Sequence, residues 1–241
     1  MLDTYIAQTQ SLLDDPDAAE YTTASLTNYI NDARLQIAGS SESLRYPALL
    51  ALVAAQQTYP FAEATIANAV TIGLGGVLDA RMAGIVGGGP IDMRTWEYFF
   101  QFFLLVSPAP TGPPAVAAVL LPGVTGNIWF SPTPAAVGTV MLDSVCYPVP
   151  LVDDTTPEAL AVPWQDAVPY FAAYLAYLNA QRGTDADAMF ARYQVFEARA
   201  TQMTTPTRLP RNYPGNTGAR LAGRNMPITA QQQQGRSGGG V

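Results

Sequence analysis

The chain has 241 residues, 49% of them hydrophobic and 13% charged, a balance that predicts a globular body with one large core or two small ones. It contains no His, a single Cys (Cys146) and twelve basic residues that are all Arg, set against nineteen acids. Ser-His-Asp and Cys-His catalysis, Walker A loops, Schiff-base lysines, internal disulfides and Cys/His zinc sites are thereby excluded.

The charge is unevenly placed. Arg199, Arg208, Arg211, Arg220, Arg224 and Arg236 all follow Glu197 with no acid among them, so the last 44 residues carry +6 and the preceding 197 carry −13. A basic tail on an acidic body predicts that the tail docks on an acidic surface, of this protein or of a partner. No apolar run reaches the roughly 18–20 residues of a membrane helix, because Pro, Gly and Gln interrupt each candidate. MLDTYIAQTQ at the N-terminus has neither the basic residue nor the apolar stretch of a signal peptide. The expectation is a soluble protein made in a cytoplasm.

Leu2, Ile6, Leu12 and Leu13 form a weak helical stripe that stops at the turn cluster Asp14-Asp15-Pro16-Asp17. Thr22 or Thr23 caps a clearer helix, with Leu26, Tyr29, Ile30, Ala33 and Ile37 on one face and Gly39 as its close. The acids Asp14, Asp15, Asp17 and Glu20 do not match an EF-hand loop, which needs Gly at its sixth position and Glu at its twelfth; they read as turn and helix-end charge.

Between residues 46 and 150 Gly and Pro recur every few residues and separate short apolar runs, the pattern of strands and tight turns. The runs are 70–72, 84–86, 115–121, 128–130 and 137–142, while 49–55 is apolar without an assignable period. One insertion is helical: Thr95 is placed to cap Trp96, Phe99, Phe100 and Phe103. The clusters Gly73-Leu74-Gly75-Gly76 and Gly87-Gly88-Gly89-Pro90 lack the helix and downstream acid of a dinucleotide fingerprint and read as hairpin turns or bulges. Trp129, Phe130 and Tyr147 read as core or inter-subunit packing, not as a ligand cage.

Asp153-Asp154-Thr155-Thr156-Pro157 returns the chain to helix, and the strongest periodicity follows. Trp164, Val168, Phe171, Leu175 and Leu178 make one stripe, closed by Gln181-Arg182-Gly183 with Gly in the left-handed position. Thr184 or Asp185 caps a second helix, striped by Phe190, Tyr193, Phe196, Ala200 and Met203. Ala172, Ala173, Ala176 and Ala180 leave room for close helix approach. Neither helix can bury its stripe alone, so the hairpin is expected to pack on the N-terminal helices too. The predicted fold class is α+β: a helical bundle from both chain ends (1–45 and 157–203), an inserted β-rich domain with one short helix (46–156), and an extended C-terminal tail (204–241).

That tail has four Pro, much Gly, Gln and Asn, and no apolar period. It has too little apolar surface to offset about 1–2 kcal/mol of ordering entropy per residue unless a partner holds it. Extended, it spans on the order of 100 Å at ~3.3 Å per residue. Its candidate anchors are Leu209, Tyr213, Leu221, Met226 and Ile228 in pockets, with Arg208, Arg211, Arg220 and Arg224 pairing with carboxylates or carbonyls through the planar guanidinium fork.

Three stretches, in this order, resemble one family. They are SLLDDPDAAEYTTASLTNYINDARLQIA; the middle segments LVAAQQTYPF, RTWEYFFQFF and NIWFSPTPAAVGTVMLD, the last ending a strand in an aromatic-x-Pro-x-Pro turn; and PWQDAVPYFAAYLAYLNAQRGTDADAMFARYQVFEAR. Over about residues 8–200 the chain resembles the head-to-tail adaptor proteins of tailed bacteriophages, the connector family that includes tail tubular protein A of short-tailed phages. The resemblance implies a non-enzymatic virion protein of the neck, without cofactor. It implies a homo-oligomeric ring, usually a dodecamer, beneath the portal. The C-terminal tail would attach to the portal protein, and tail or nozzle proteins would bind below. DNA would pass through the lumen during ejection without specific binding, and an acidic lumen would suit that, because phosphate contacts need Lys or Arg. Other readings are a different neck protein (head completion or stopper) and a nucleic-acid-binding module. Against the latter stand a sequence pI of about 4.4 and the absence of an RNP or helix-turn-helix signature. No Asp or Glu stands apart from turns and caps as a glycosidase-like pair would.

Overall fold

A computed structural model of the chain describes residues 1–17, 19–106 and 110–204. α1 (Leu2–Leu13) buries Leu2, Tyr5, Ile6, Thr9 and Leu13 and ends at Asp14 in the left-handed region, φ 55°. The acidic turn that follows is held by one of its own acids. Asp15 accepts the backbone N–H groups of Ala19, Glu20 and Tyr21 at 2.8, 3.0 and 2.8 Å. Thr22 then caps α2 (Thr23–Ser41) by accepting the Ser25 N–H. Gly39 does not close this helix. It continues to Ser41, and the left-handed residue is Glu42, φ 51°. Ser41 Oγ bonds back to the Ile37 carbonyl and so satisfies one of the last helical acceptors.

The middle of the chain is mostly strand. β1 (Arg45–Leu52) takes up most of the unassigned apolar run and alternates strictly, with Ala48, Leu50 and Leu52 buried and Leu49 and Ala51 exposed. β2 (Thr58–Pro60) and β3 (Thr65–Ile66) are short. The run at 70–72, expected as strand, is a turn: Asn68 is left-handed at φ 58°, Ile72 donates back to the Asn68 carbonyl, and Val70 stands in solvent. β4 (Leu74–Ile85) and β5 (Pro90–Arg94) form a hairpin through the glycine-rich turn. Within β4, a Cβ on Gly75 would collide with the Tyr147 ring, so this glycine permits a close approach.

After β5 come α3 (Trp96–Phe99), capped by Thr95, and a π-helical turn at Phe100–Leu104. β6 (Thr111–Gly112), β7 (Val116–Leu120), β8 (Asn127–Ser131), β9 (Thr133–Pro134) and β10 (Gly138–Pro148) complete the strands. The large sheet has the order β2-β8-β7-β5-β4-β10-β1-β3, and β6 pairs with β9 apart from it. All neighbours in the large sheet are antiparallel except β5 and β7, which the α3 segment connects as a crossover.

This sheet curls. Tyr59, Phe130, Ala117, Ile91, Ala83, Leu142 and Leu50, from seven different strands, meet in one buried cluster. Tyr59 of β2 also hydrogen-bonds both the N–H and the carbonyl of Val53, just beyond β1 near the opposite end of the strand order. Register shifts between β10 and β4 at three places add bend.

The chain then re-enters helix: α4 (Val162–Gln165), α5 (Val168–Asn179) and α6 (Gly183–Thr204). The hairpin differs from expectation in three ways. Asp166 and Ala167 separate α4 from α5, so Trp164 is not on the same helix as Val168. The left-handed residue after α5 is Gln181, φ 58°, and Gly183 begins α6 instead of ending α5. α5 buries its alanine face (Ala172, Ala173, Ala176), while Leu178 is exposed and so is Met203 on α6. The reason is position: α5 packs against α1, α2 and α6 together, and only small side chains allow three neighbours so close. Its aromatics flank that face and pair with those of α6, Tyr170 on Phe196 at 4.5 Å and Phe171 on Tyr193 at 4.9 Å. Residues from α1, α2, α5 and α6 share one buried cluster, which Leu44, Leu74 and Cys146 join from the sheet side. The fold is mixed α+β, as the sequence predicts.

Candidate partner-binding surfaces

The nine tail positions singled out from the sequence, Arg208, Leu209, Arg211, Tyr213, Arg220, Leu221, Arg224, Met226 and Ile228, lie outside the described residues. Within the described residues the functional question becomes what holds the body together and what it leaves uncovered.

At its centre is a buried ion pair that sequence reasoning missed. Arg34 on α2 is fully buried and meets Glu158 through Nε at 3.0 Å and Nη2 at 3.0 Å. Its Nη1 donates to the carbonyl of Val149 at 2.8 Å and to Asn31 Oδ1 at 3.2 Å. Asn31 in turn donates to and accepts from the backbone of Leu151. Glu158 also accepts the Leu160 N–H. The Tyr5 hydroxyl, raised far above its ordinary pKa first by burial and then by the Glu158 carboxylate, lies close by. This network ties α2 to the exit of β10 and to the segment before α4. A signal was present in the sequence, since Arg34 falls four residues after Ile30 on the apolar stripe of its helix. Near the chain's start, Asp154 accepts from the Met1 ammonium at 2.6 Å and from the Asp3 N–H at 3.0 Å.

Nothing among the described residues gathers three or more His, Cys, Asp or Glu side chains in a metal-binding arrangement. Cys146 is fully buried, and burial pushes its thiol up to about 11, well away from a reactive thiolate. Four surface arginines are matched with acids: Arg45 with Asp143, Arg81 with Glu42 and Asp79, Arg94 with Asp92, Arg182 with Asp185.

Among the described residues, two of the apolar, uncovered surfaces stand out. One is the α3 crossover, where Phe99 is buried against the sheet while Tyr98, Phe100, Phe102, Leu105 and Val106 face outward. Trp96 leans on Trp129 of β8 at 5.5 Å, so Trp129 serves packing. The other is a groove of about 450 Å³ on the outer face of β1, β10 and β4, floored by Met82, Met141 and Pro47 and bounded by the Gly88–Pro90 turn. The only charged residues lining it, Arg45 and Asp143, pair with each other.

An arrangement of uncovered apolar patches on a body stitched by buried polar links suits assembly. Comparison with known families agrees: the model of the SU10 adaptor protein family matches residues 2–220, through both helical regions and the sheet. The chain belongs to that family of phage adaptors, a structural, non-enzymatic class of virion component. No curated protein matches the chain. No helix among the described residues is long and apolar enough to cross a membrane.

Proposed function

We propose that this protein is the head-to-tail adaptor of a phage neck, of the kind tail tubular protein A represents, joining the portal to the tail as a homo-oligomeric ring, twelve-fold by the family's habit. In this reading the helices of both chain ends (1–45 and 157–203) form one bundle with the β-rich region (46–156) inserted, and DNA passes through an acidic lumen during ejection without specific contacts. The tail lies extended on the portal protein, seated by Leu209, Tyr213, Leu221, Met226 and Ile228 and by paired Arg208, Arg211, Arg220 and Arg224. Tail or nozzle proteins attach below. The observation that carries the reading is the family match across residues 2–220, which runs from α1 into the basic tail. The charge supports it: the basic tail suits an acidic partner surface, and the net-acidic body, with several of its arginines paired to acids, disfavours phosphate contacts.

Deletion of residues 205–241 tests it. The truncated protein is expected to stay folded, to lose co-sedimentation with DNA-filled heads, and to leave particles without tails. Truncated protein that completes infectious particles overturns the portal-docking role.

A further inference from the structure

We propose that the α3 crossover is a knob that seats in the β1–β10–β4 groove of the next copy of this chain, forming the side-to-side contact of the ring. The inference rests on the ring reading above and adds where its subunits touch.

A crossover helix needs a single apolar stripe, turned toward its sheet. This one is apolar all round. From Thr95 to Val106 it carries one charge, Glu97, and beyond the buried Phe99 it holds Tyr98, Phe100, Phe102, Leu105 and Val106 at 41, 43, 57, 66 and 47% exposure. At about 150–250 Å² for a whole aromatic side chain, that leaves on the order of 400–500 Å² of apolar surface in solvent. A patch of that size marks an interaction site, and it is roughly half of what one partner contributes to an interface of standard size, about 800 Å².

The groove is its counterpart. Met82 and Met141 line it at 60 and 49% exposure, with Leu49 beside Met141 in register on β1. Its volume, about 450 Å³, falls in the range in which proteins bury multi-ring groups, about 300–1,000 Å³. Methionine sulfur packs well on aromatic edges, the groove's two charges pair with each other, and the knob carries a single charge, Glu97, on its exposed first turn.

The curl of the sheet makes these two surfaces partners between copies. The knob sits outside β7 and β8, second and third in the strand order; the groove lies outside β4, β10 and β1, fifth to seventh. Because the sheet wraps around one inner cluster, the two outer faces point away from each other. A knob on one flank and a hole on the other is a head-to-tail contact, the kind that generates rings when its rotation closes. A self-matching dimer would need one patch only.

The test uses full-length Phe102→Asp and Met141→Asp, both at exposed positions, with circular dichroism as the check on folding. Oligomer size is read by analytical ultracentrifugation, free and on portal rings. Wild type is expected to form closed oligomers and each variant alone at least tenfold fewer. An equimolar mixture should stop at the dimer, because it offers one intact knob and one intact groove. Should either aspartate unfold the chain, Phe102→Cys with Met141→Cys serves instead: the double variant should cross-link into a ladder under oxidation and neither single variant should. Wild-type oligomers from either aspartate variant, or oligomers without the cross-link, overturn this contact alone. Wild type that stays monomeric both free and on portal rings overturns the ring reading together with it.

Discussion

Among the helices the buried cluster surrounds a charged pair, Arg34 with Glu158, whereas the cluster inside the curled sheet contains no charged residue and counts four alanines. The difference follows from how each region gets its register. Strands are aligned by their hydrogen-bond ladders, so the interior of the sheet has only to be filled. The helices come from segments more than a hundred residues apart and share no ladder, and apolar stripes slide and rotate at little cost. Directional bonds across that separation, Arg34 to Glu158 and Asn31 to Leu151, select one arrangement.

The largest effect is therefore expected at the ion pair. Arg34→Met or Glu158→Gln alone leaves a buried, unmatched partner and should cost about 3–5 kcal/mol. For a body of this size that lowers Tm by roughly 6–20 °C in calorimetry. The double replacement Arg34→Met with Glu158→Leu should recover most of the stability while broadening the unfolding transition. A loss under 1 kcal/mol for the single variants would remove the contrast between the two clusters. Inside the sheet the expected sensitivity is to volume. Ala117→Leu should cost about 1–3 kcal/mol by overpacking, and Leu49→Ala on the outer face no more than about 0.5 kcal/mol, both read from denaturant midpoints.

The same contrast explains how much the sequence discloses. Periods of 3.6 residues reveal α1, α2, α5 and α6, and Gly/Pro punctuation reveals the β-rich middle, because both depend on neighbours in the chain. The buried face of α5 was not legible from its bulkiest residues. Its aromatic stripe is more hydrophobic than its alanine face, but having three neighbouring helices makes closeness, not bulk, decide which side turns inward. The turn at 70–72 was hidden because a left-handed Asn68 looks like any other polar residue before an apolar run. Of the candidate site, the tail positions stand on composition alone and lie outside the described residues. The Arg34 link was written as one charge on an apolar stripe, but Glu158, its partner 124 residues away, had no local mark.

Acid should also act on the helical side first. Asp15 has its carboxyl held below the usual value of 3.8, chiefly by the Tyr21 N–H, with those of Ala19 and Glu20 adding to it. A carboxyl with a lowered folded-state pKa contributes stability that is present above the unfolded value near 3.8 and fades as pH falls through the lower folded one. Asp15→Asn should thus be less stable than wild type at neutral pH and nearly equal to it at the acid end, with a flatter stability profile below pH 4. Parallel profiles for the two proteins would show that the loop does not depend on the carboxylate charge.

The finest comparison is between two threonine caps that look alike in sequence. Thr22 accepts from Ser25 N–H at 3.2 Å, also bonds Ser25 Oγ at 2.9 Å, and starts a helix of 19 residues that feeds the buried cluster. Thr95 accepts from Tyr98 N–H at 3.5 Å and starts four residues of α-helix before the backbone loosens into the π-turn. Losing a threonine cap costs about 0.5–2 kcal/mol where the helix is coupled to the core. Thr22→Ala should fall near the middle of that range, about 1 kcal/mol. At Thr95 the bond is already near the limit of hydrogen-bond length, and the crossover is pinned through Phe99 and Trp96 whether or not its first turn is capped. Thr95→Ala should therefore change the unfolding free energy by only a few tenths of a kcal/mol. A cost at Thr95 equal to that at Thr22 would mean that the crossover is anchored by its cap and not by its aromatics, and the apolar underside of the knob would then count for less than the contacts of Phe99 suggest.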